Sequence, residues 1–450
     1  MTYKHLPRFA ASCAWIATSA LQYGFHIAAL NSVSTSIVCD TSPVPRRKAS
    51  MGLDSCVEMS EAEFGVVTAA YTVGGLLGSL AAGGLIDRWG KKGVAVRSAA
   101  VIALGAAAVS FGSALWVLVL GRVLVGISCG IATVLVPLYL SSVAPPAIAG
   151  NIGILTQISI NVGICLAQGS SIPLSEAGTG NWRFVSLISV ALAAAQILTS
   201  PAMPENGPAK QSSGGVFDAT DEEEEERTPL ARGEDPDATR RKSDDPESSM
   251  SVWEVLKSSD AEISKPLWTL VAVMLFQQFS GINAVMYYST SILTAVNPSS
   301  AKMVSLYVTI VNLIMTFPAI YLIDRLGRRS LILLSLLSMS ASTAVLGWSI
   351  NTHHFYVASG GIILFVCAFS LGLGPVPFVL VGEMPPEKAK SATASVAVAV
   401  NWLSNLCVGV GFLPLRDLLA GSGDGSSGTV FFIFTALTAV GAIVLGRLLR

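Results

Sequence analysis

Only 13% of this 450-residue chain is Asp, Glu, Lys or Arg, and the formal net charge is −1. So few charges exclude a soluble domain with an ordinary solvated surface, and the missing basic excess excludes a nucleic-acid binder. Cysteine is too sparse and too scattered for a disulfide framework. Of the seven, Cys13, Cys129, Cys165, Cys367 and Cys407 fall within apolar stretches, where a free thiol behaves as a small hydrophobe. Cys39 and Cys56 share one polar loop, and the sequence leaves a bridge and two free thiols equally open. There is no Gly-Lys-Ser/Thr phosphate loop, so ATP-driven pumping has no support. The apolar stretches hold no nucleophile–base pair and no acidic dyad, so the chain is not expected to be an enzyme, and no metal or cofactor is implied. The one external acceptor pattern for glycosylation, Asn297-Pro298-Ser299, is blocked by its proline.

What the chain has in abundance is apolar length. Hydrophobic residues make up 52% and the mean hydropathy is +0.62. Stretches long enough to cross a bilayer fall near 9–31, 62–86, 93–113, 115–137, 151–173 and 182–201, and then near 266–295, 302–323, 329–349, 355–382, 391–414 and 427–447. They are too long and too continuously apolar for barrel strands, so backbone satisfaction in lipid requires helices. The first runs well past the length of a leader-peptide core. The expected fold is an all-α membrane protein, with an N-terminal bundle over 1–203, a cytoplasmic and largely disordered linker over 204–265, and a C-terminal bundle over 266–450. The linker differs sharply in composition. It carries the acidic run Glu222–Glu226, the basic Arg240-Arg241-Lys242 and a short helical pattern near Trp253–Lys257.

Asp87-Arg88-Trp89-Gly90-Lys91-Lys92 follows one span and opens the next, and Asp324-Arg325-Leu326-Gly327-Arg328-Arg329 does the same in the second half. A charged hexad repeated in register marks a duplicated membrane unit, hence two pseudosymmetric six-helix bundles. Glycine lets the backbone turn, aspartate can accept from a helix N-terminus or pair with a cation, and the basic residues meet anionic headgroups. Arg88, Lys91, Lys92, Arg97, Arg325, Arg328, Arg329, Lys388 and Lys390 all lie on one side. Arg183, Lys302, Arg416 and the Arg46-Arg47-Lys48 cluster lie on the other, so both termini are predicted to be cytoplasmic.

Within the spans, neutral polar residues are the informative minority. Gln277-Gln278-Phe279-Ser280-Gly281-Ile282-Asn283 precedes Tyr287-Tyr288 on the seventh segment, with Gly281 inviting a local break. Asn312 lies on the eighth, Asn401-Trp402-Leu403-Ser404-Asn405 on the eleventh, and Gln157 and Asn161 on the fifth. Gln22, His26 and Asn31 lie on the first. Gly372-Leu373-Gly374-Pro375-Val376-Pro377 prevents the tenth from remaining a regular helix. Asn and Gln both donate and accept, matching hydroxyls that do the same, and Trp and Tyr offer flat faces to a pyranose. These residues point to a small neutral polyhydroxylated ligand. A single amide of this kind more often binds neighbouring helices together, but a group of them beside a broken helix favours a polar cavity.

Gln277-Gln278-x-Ser280-Gly281-x-Asn283-x-x-x-Tyr287-Tyr288 and Gly374-Pro375-x-Pro377 resemble signatures of the sugar porter family of the major facilitator superfamily, the group that contains the facilitative glucose transporters. Gly121-Arg122, both Asp-Arg-x-Gly loops and Asn401-Trp402-x-Ser404-Asn405 match as well. The resemblance implies twelve helices in two bundles with the sugar near the midplane. It implies that Gln157, Gln277, Gln278, Asn283, Asn312 and Trp402 contact the sugar, with Asn405 lower in the cavity. It implies gating by Tyr287, Tyr288, Gly374, Pro375 and Pro377, and an intracellular charge network of Asp87, Arg88, Arg122, Asp324, Arg325, Glu383 and Lys390. Glu383 and Lys390 are expected to keep the second-half charge pair, whereas Ser142 and Ala149 replace both partners of the first-half pair. Ser370 replaces a common acidic residue and Phe378 a cavity tryptophan. The Pro-Glu-Ser-Pro-Arg pattern is reduced to Pro204-Glu205-Asn206-Gly207-Pro208, and the usual Pro-Glu-Thr-Lys-Gly after the last segment is absent.

Proton symporters of this family generally place Asp where this chain has His26. Facilitated diffusion of a hexose by alternating access is therefore the expectation, by a monomer surrounded by membrane lipid in a plasma or vacuolar membrane. His26 as a titrating coupling residue, and a non-transporting sugar sensor, remain the alternatives.

Overall fold

The computed structural model describes residues 6–30, 33–39, 52–145, 152–176, 179–204, 249–285, 301–352, 354–420 and 428–449. Its helices are α1 (Leu6–Ala28), α2 (Ser34–Ile37), α3 (Glu61–Phe111), α4 (Leu115–Val143), α5 (Ile154–Leu174), α6 (Trp182–Thr199) and α7 (Val252–Lys257). They continue with α8 (Ala261–Phe279), α9 (Ala301–Asn351), α10 (Phe355–Leu371), α11 (Val376–Glu383), α12 (Lys390–Ala420) and α13 (Thr429–Leu448). Among the described residues, eight helical stretches are long and apolar enough to cross a membrane. Two of these lie within α3 and α9, each 51 residues long and each broken at one residue, Gly90 and Gly327. Counted on both sides of those breaks, and joined by α1 and α5, they make twelve helices among the described residues, the number that the resemblance implies. α1 and α5 are long enough but more polar, because they carry Gln22, His26, Gln157, Asn161 and Gln168.

The hexads turn where their glycines permit it. Gly90 adopts φ 69°, ψ 162° and Gly327 φ 77°, ψ 159°, a region essentially closed to residues with a Cβ. A Cβ on Gly327 would meet nothing within 4 Å. Glycine is therefore required there by backbone conformation and not by crowding.

Helices pair mainly within each half: α3 with α4 and α6, α1 with α4 and α5, α9 with α10 and α13, and α8 with α12 and α13. Backbones come very close where side chains are small, as expected in lipid, where dispersion contacts between helices replace a hydrophobic driving force. A Cβ on Gly24 would lie 1.9 Å from the Ile160 carbonyl oxygen, and one on Gly163 equally close to that of Leu21. This approach fixes α5, with its amides, against α1. The two halves meet through α3 with α12, α5 with α9, and α4 with α11.

Several local expectations change. α8 starts at Ala261, ahead of the predicted 266, because Asp260 accepts from Glu262 N at 3.0 Å and caps it. Cys39 and Cys56 are disulfide-bonded. Arg183, counted above with the basic loops, is fully buried. Its guanidinium lies over the Trp182 ring and donates to the carbonyls of Ser110, Gly112 and Asp54 at 2.8, 2.6 and 2.9 Å. It fastens the disulfide-bonded loop to the bundle and faces no headgroup, so the opposite loops lose one of their basic residues. The linker residues 205–248, including Arg240–Ser243, lie outside the described residues, as do Asn31 and Ala149. The short helix expected near Trp253–Lys257 is α7, closed by a reciprocal Ser251–Glu254 capping box. Its Val255 is buried against Ile263, Leu267 and the start of α12.

Candidate functional site

The seventh predicted segment is helical to Phe279, turns at Ser280 and Gly281, and is helical again over 282–285. Gly281 adopts φ 86° and breaks it, which brings Gln277, Gln278 and Asn283 to one locality. The tenth segment breaks at Gly372–Pro375 between α10 and α11, exposing main-chain carbonyls that need donors. Gln277 supplies them. Its amide donates to Leu373 O at 2.8 Å and Gly374 O at 3.3 Å, while its carbonyl accepts from Asn401 at 2.7 Å. Every polar atom of Gln277 is thus engaged in this conformation, and it acts as the brace of the broken helix. Gln278 donates to Asn401 Oδ1 at 3.0 Å and accepts from Asn283. Asn401, quoted above only as part of a motif, is the hub joining α8 to α12, since it also donates to Met274 O.

A second set crosses from one half to the other. Gln157 donates to Asn161 Oδ1 at 3.2 Å, and Asn161 donates to Asn312 Oδ1 at 3.2 Å and Thr316 Oγ1 at 2.8 Å. Ser370 Oγ lies 2.7 Å from the same Asn312 oxygen. Trp402 is buried between Tyr23 and Tyr71, each with its ring centroid 5.4 Å away, and its Nε1 donates to Thr133 at 3.3 Å. It lies so close to α3 that a Cβ on Gly75 would be 2.3 Å from the indole. Asn405, one turn further along α12, is buried and its Oδ1 has no hydrogen-bond partner. Tyr287 and Tyr288 lie outside the described residues. A cavity of about 300 Å3 at the disulfide loop, lined by Asp54, Glu58 and Leu115 among others, shares no residue with these amides.

The hexad residues meet helix ends and rings. Asp87 accepts from the Ser391 hydroxyl at 3.0 and 3.2 Å at the start of α12, and nearby Ser395 Oγ accepts from Gly83 N at 2.8 Å. The two halves are therefore closed against each other at the hexad side. Burial pushes the Asp87 carboxyl above its ordinary range, opposed by hydrogen bonds from Ser391 and Ser249. Arg88 and Arg97 both lie over the Trp89 ring, and Arg325 over Tyr321. The expected Glu383–Lys390 pair does not form. Arg328 of the second hexad forks onto Glu383 at 2.9 and 3.2 Å, while the turn Glu387–Ala389 brings Lys390 to Glu387. The Glu383 hydrogen bond raises the Arg328 guanidinium above its ordinary value.

Arg122 does not belong to the intracellular network. It stands in the third turn of α4, buried, with its guanidinium 4.4 Å from the Tyr71 ring centroid and Nη1 donating to the main-chain oxygen of His26 at 3.3 Å. A cation in an apolar helix is stabilised by a ring face and a carbonyl. The His26 side chain packs toward α6, where Nε2 is 2.8 Å from Ser189 Oγ. Ser189 donates its single proton to Gln22 at 2.8 Å, so Nε2 of His26 is the donor in this chain.

A family model described as "Sugar (and other) transporter" matches residues 12–449. "Probable metabolite transport protein YBR241C" of Saccharomyces cerevisiae is 29% identical over 94% of this chain and 88% of its own. "Facilitated glucose transporter protein 1" of Caenorhabditis elegans is 30% identical over 94% of this chain and 84% of its own. Among solved structures, that of the proton:xylose symporter XylE superposes with a TM-score of 0.76 at 18% identity, covering 98% of this chain and 96% of that one.

Proposed function

This chain belongs to the sugar transporter family, with the major facilitator fold, and on that premise we propose that it carries a neutral hexose across a membrane by facilitated diffusion. The observation that carries the reading is the buried, unpaired Asn405 Oδ1 one turn from Trp402, in a cluster of neutral amides drawn from both halves. A buried acceptor without a donor costs about 1–3 kcal/mol, and a ligand hydroxyl supplies the missing donor. Gln157, Gln278, Asn283 and Asn312 provide further matched pairs, Trp402 a flat face, and Gln277 holds the broken helix in place. Tyr287 and Tyr288, with the Gly374-Pro375-x-Pro377 break, form the gate on the side away from the hexads. The hexads face the cytoplasm, with both termini, and act on the balance between conformations. The monomer is the working unit, in a plasma or vacuolar membrane.

The two halves rock about the site, and sugar shifts their equilibrium only through its differential affinity for the states. A millimolar ligand needs about −4 kcal/mol, within reach of a few net hydrogen bonds and one stacking contact. Coupling to protons would need a group that loads and releases one in each cycle, and His26 is committed as a donor to the packed Ser189–Gln22 chain. Initial hexose uptake into proteoliposomes is therefore expected to be the same with and without an inward proton gradient, with no accumulation beyond equilibrium. Uphill accumulation that His26→Asn abolishes would establish symport.

A further inference from the structure

Asn312 Oδ1 accepts from Asn161 Nδ2 at 3.2 Å, and Ser370 Oγ lies 2.7 Å from the same oxygen with one proton to give either to it or to Val366 O. A sugar hydroxyl that donates to this oxygen in the space between the halves takes the place of the Asn161 donor. The Ser370 bond lies within the C-terminal half, between α9 and α10, and its hydroxyl also lies 2.7 Å from Val366 O. The Asn161 bond runs between halves, from α5 to α9, so it is the one that relative motion of the halves breaks. The second proton of Asn161 is given to Thr316 Oγ1 at 2.8 Å, and Thr316 donates onward to the Asn312 main-chain oxygen at 2.8 Å. Asn161 Oδ1 is held by Gln157, so its amide group keeps facing the C-terminal half. Its side chain is 1% exposed.

The geometry points to Asn161 as a specificity-determining residue of the sugar site. In the closed form shown here its amide stands where a ligand hydroxyl would be. When sugar enters between α5 and α9, one hydroxyl inserts between the two amides, donating to Asn312 Oδ1 and accepting from Asn161 Nδ2. Only a group that both gives and takes a hydrogen bond fits that place. A deoxy carbon does neither, and a fluorine cannot donate. This inference rests on the proposed sugar site and assigns one of its contacts to the N-terminal half.

The test is affinity for a panel of monodeoxy and monodeoxyfluoro hexoses, measured by inhibition of labelled glucose exchange in proteoliposomes. In the wild type, both analogues at one ring position are expected to bind about tenfold more weakly than the parent. Asn161→Leu, close in shape, removes the donor but leaves Asn312 Oδ1 as acceptor, so it should shrink the deoxy penalty at that position while the fluoro penalty there, and the penalties at the other positions, stay in place. Asn161→Ser, too short to reach across, should give the same pattern and serves if the leucine variant does not fold. Thr316→Val removes a partner of the bridge but not the reader, so it should keep the wild-type pattern. Uniform weakening of every analogue by the Asn161 variants, an unchanged pattern, or loss of the same penalty in Thr316→Val would overturn the assignment. Gln278→Ala on the same panel separates the two levels. If it binds every sugar normally, the site itself is misplaced. If it loses binding while the Asn161 variants keep the wild-type pattern, only the role of Asn161 fails.

Discussion

Gln278→Ala is expected to lower kcat/KM for hexose by about 10- to 100-fold while the protein still folds and inserts. Gln278 is buried and uses its donor on Asn401 and its acceptor on Asn283. Truncation removes both functions from the cluster and leaves two amides unpaired in front of the ligand. A site built to pair hydroxyls discriminates strongly once its polar groups lack partners. The neighbouring Gln277→Ala should behave differently. Its amide closes the carbonyls of Leu373 and Gly374, so its loss should appear first as reduced thermal stability. Transport assays paired with thermal unfolding of both variants separate the roles, and a Gln278→Ala protein with native uptake and affinity would remove this residue from the site.

Gly75→Val should act on conformation with an effect as large. A Cβ at Gly75 would come within 2.3 Å of the Trp402 indole, and the ring has nowhere to go, with Tyr23 and Tyr71 on it and only 1% of its surface exposed. Overpacking of this kind costs about 1–3 kcal/mol, which corresponds to roughly a 5- to 150-fold shift between two states. The closed contact between α3 and α12 should be depopulated and turnover should collapse, and Gly75→Val/Trp402→Leu, where the wedge has room, should regain the closed contact in part but not turnover, because it lacks the face offered to the sugar. Distances between spectroscopic probes on the hexad-side ends of α3 and α12 report the shift. Native distances in the single variant would contradict it.

Features set by local chemistry were legible in the sequence. Glycine at Gly90, Gly281 and Gly327 announced a break because positive φ excludes other residues, and Gly372–Pro377 announced the interrupted helix because proline removes a donor. The spans followed from apolar length. The polar clusters were visible too, since amides stand out against lipid-compatible residues. What the sequence did not disclose was partnership across the fold. Arg122 looked like part of a charged network and instead serves Tyr71 and His26. Glu383 was matched with Lys390 but Arg328 reaches it first. Arg183 read as a loop cation and is a buried clamp. Asn161 and Asn401 were noted only as polar residues of their helices, because their importance lies in contacts to segments more than a hundred positions away.

The most direct test of sugar transport by alternating access is counterflow. Proteoliposomes holding the purified protein are loaded with a high concentration of unlabelled glucose, diluted into a trace of labelled glucose without any ion gradient, and followed over time. A carrier whose single site alternates between the two sides returns inward loaded with label more often than it carries label out. The expected result is therefore a transient rise of internal label above its equilibrium level, absent in Gln278→Ala. Label that enters folded, reconstituted protein at the same rate whether or not hexose is inside, with no overshoot for any hexose, would contradict it.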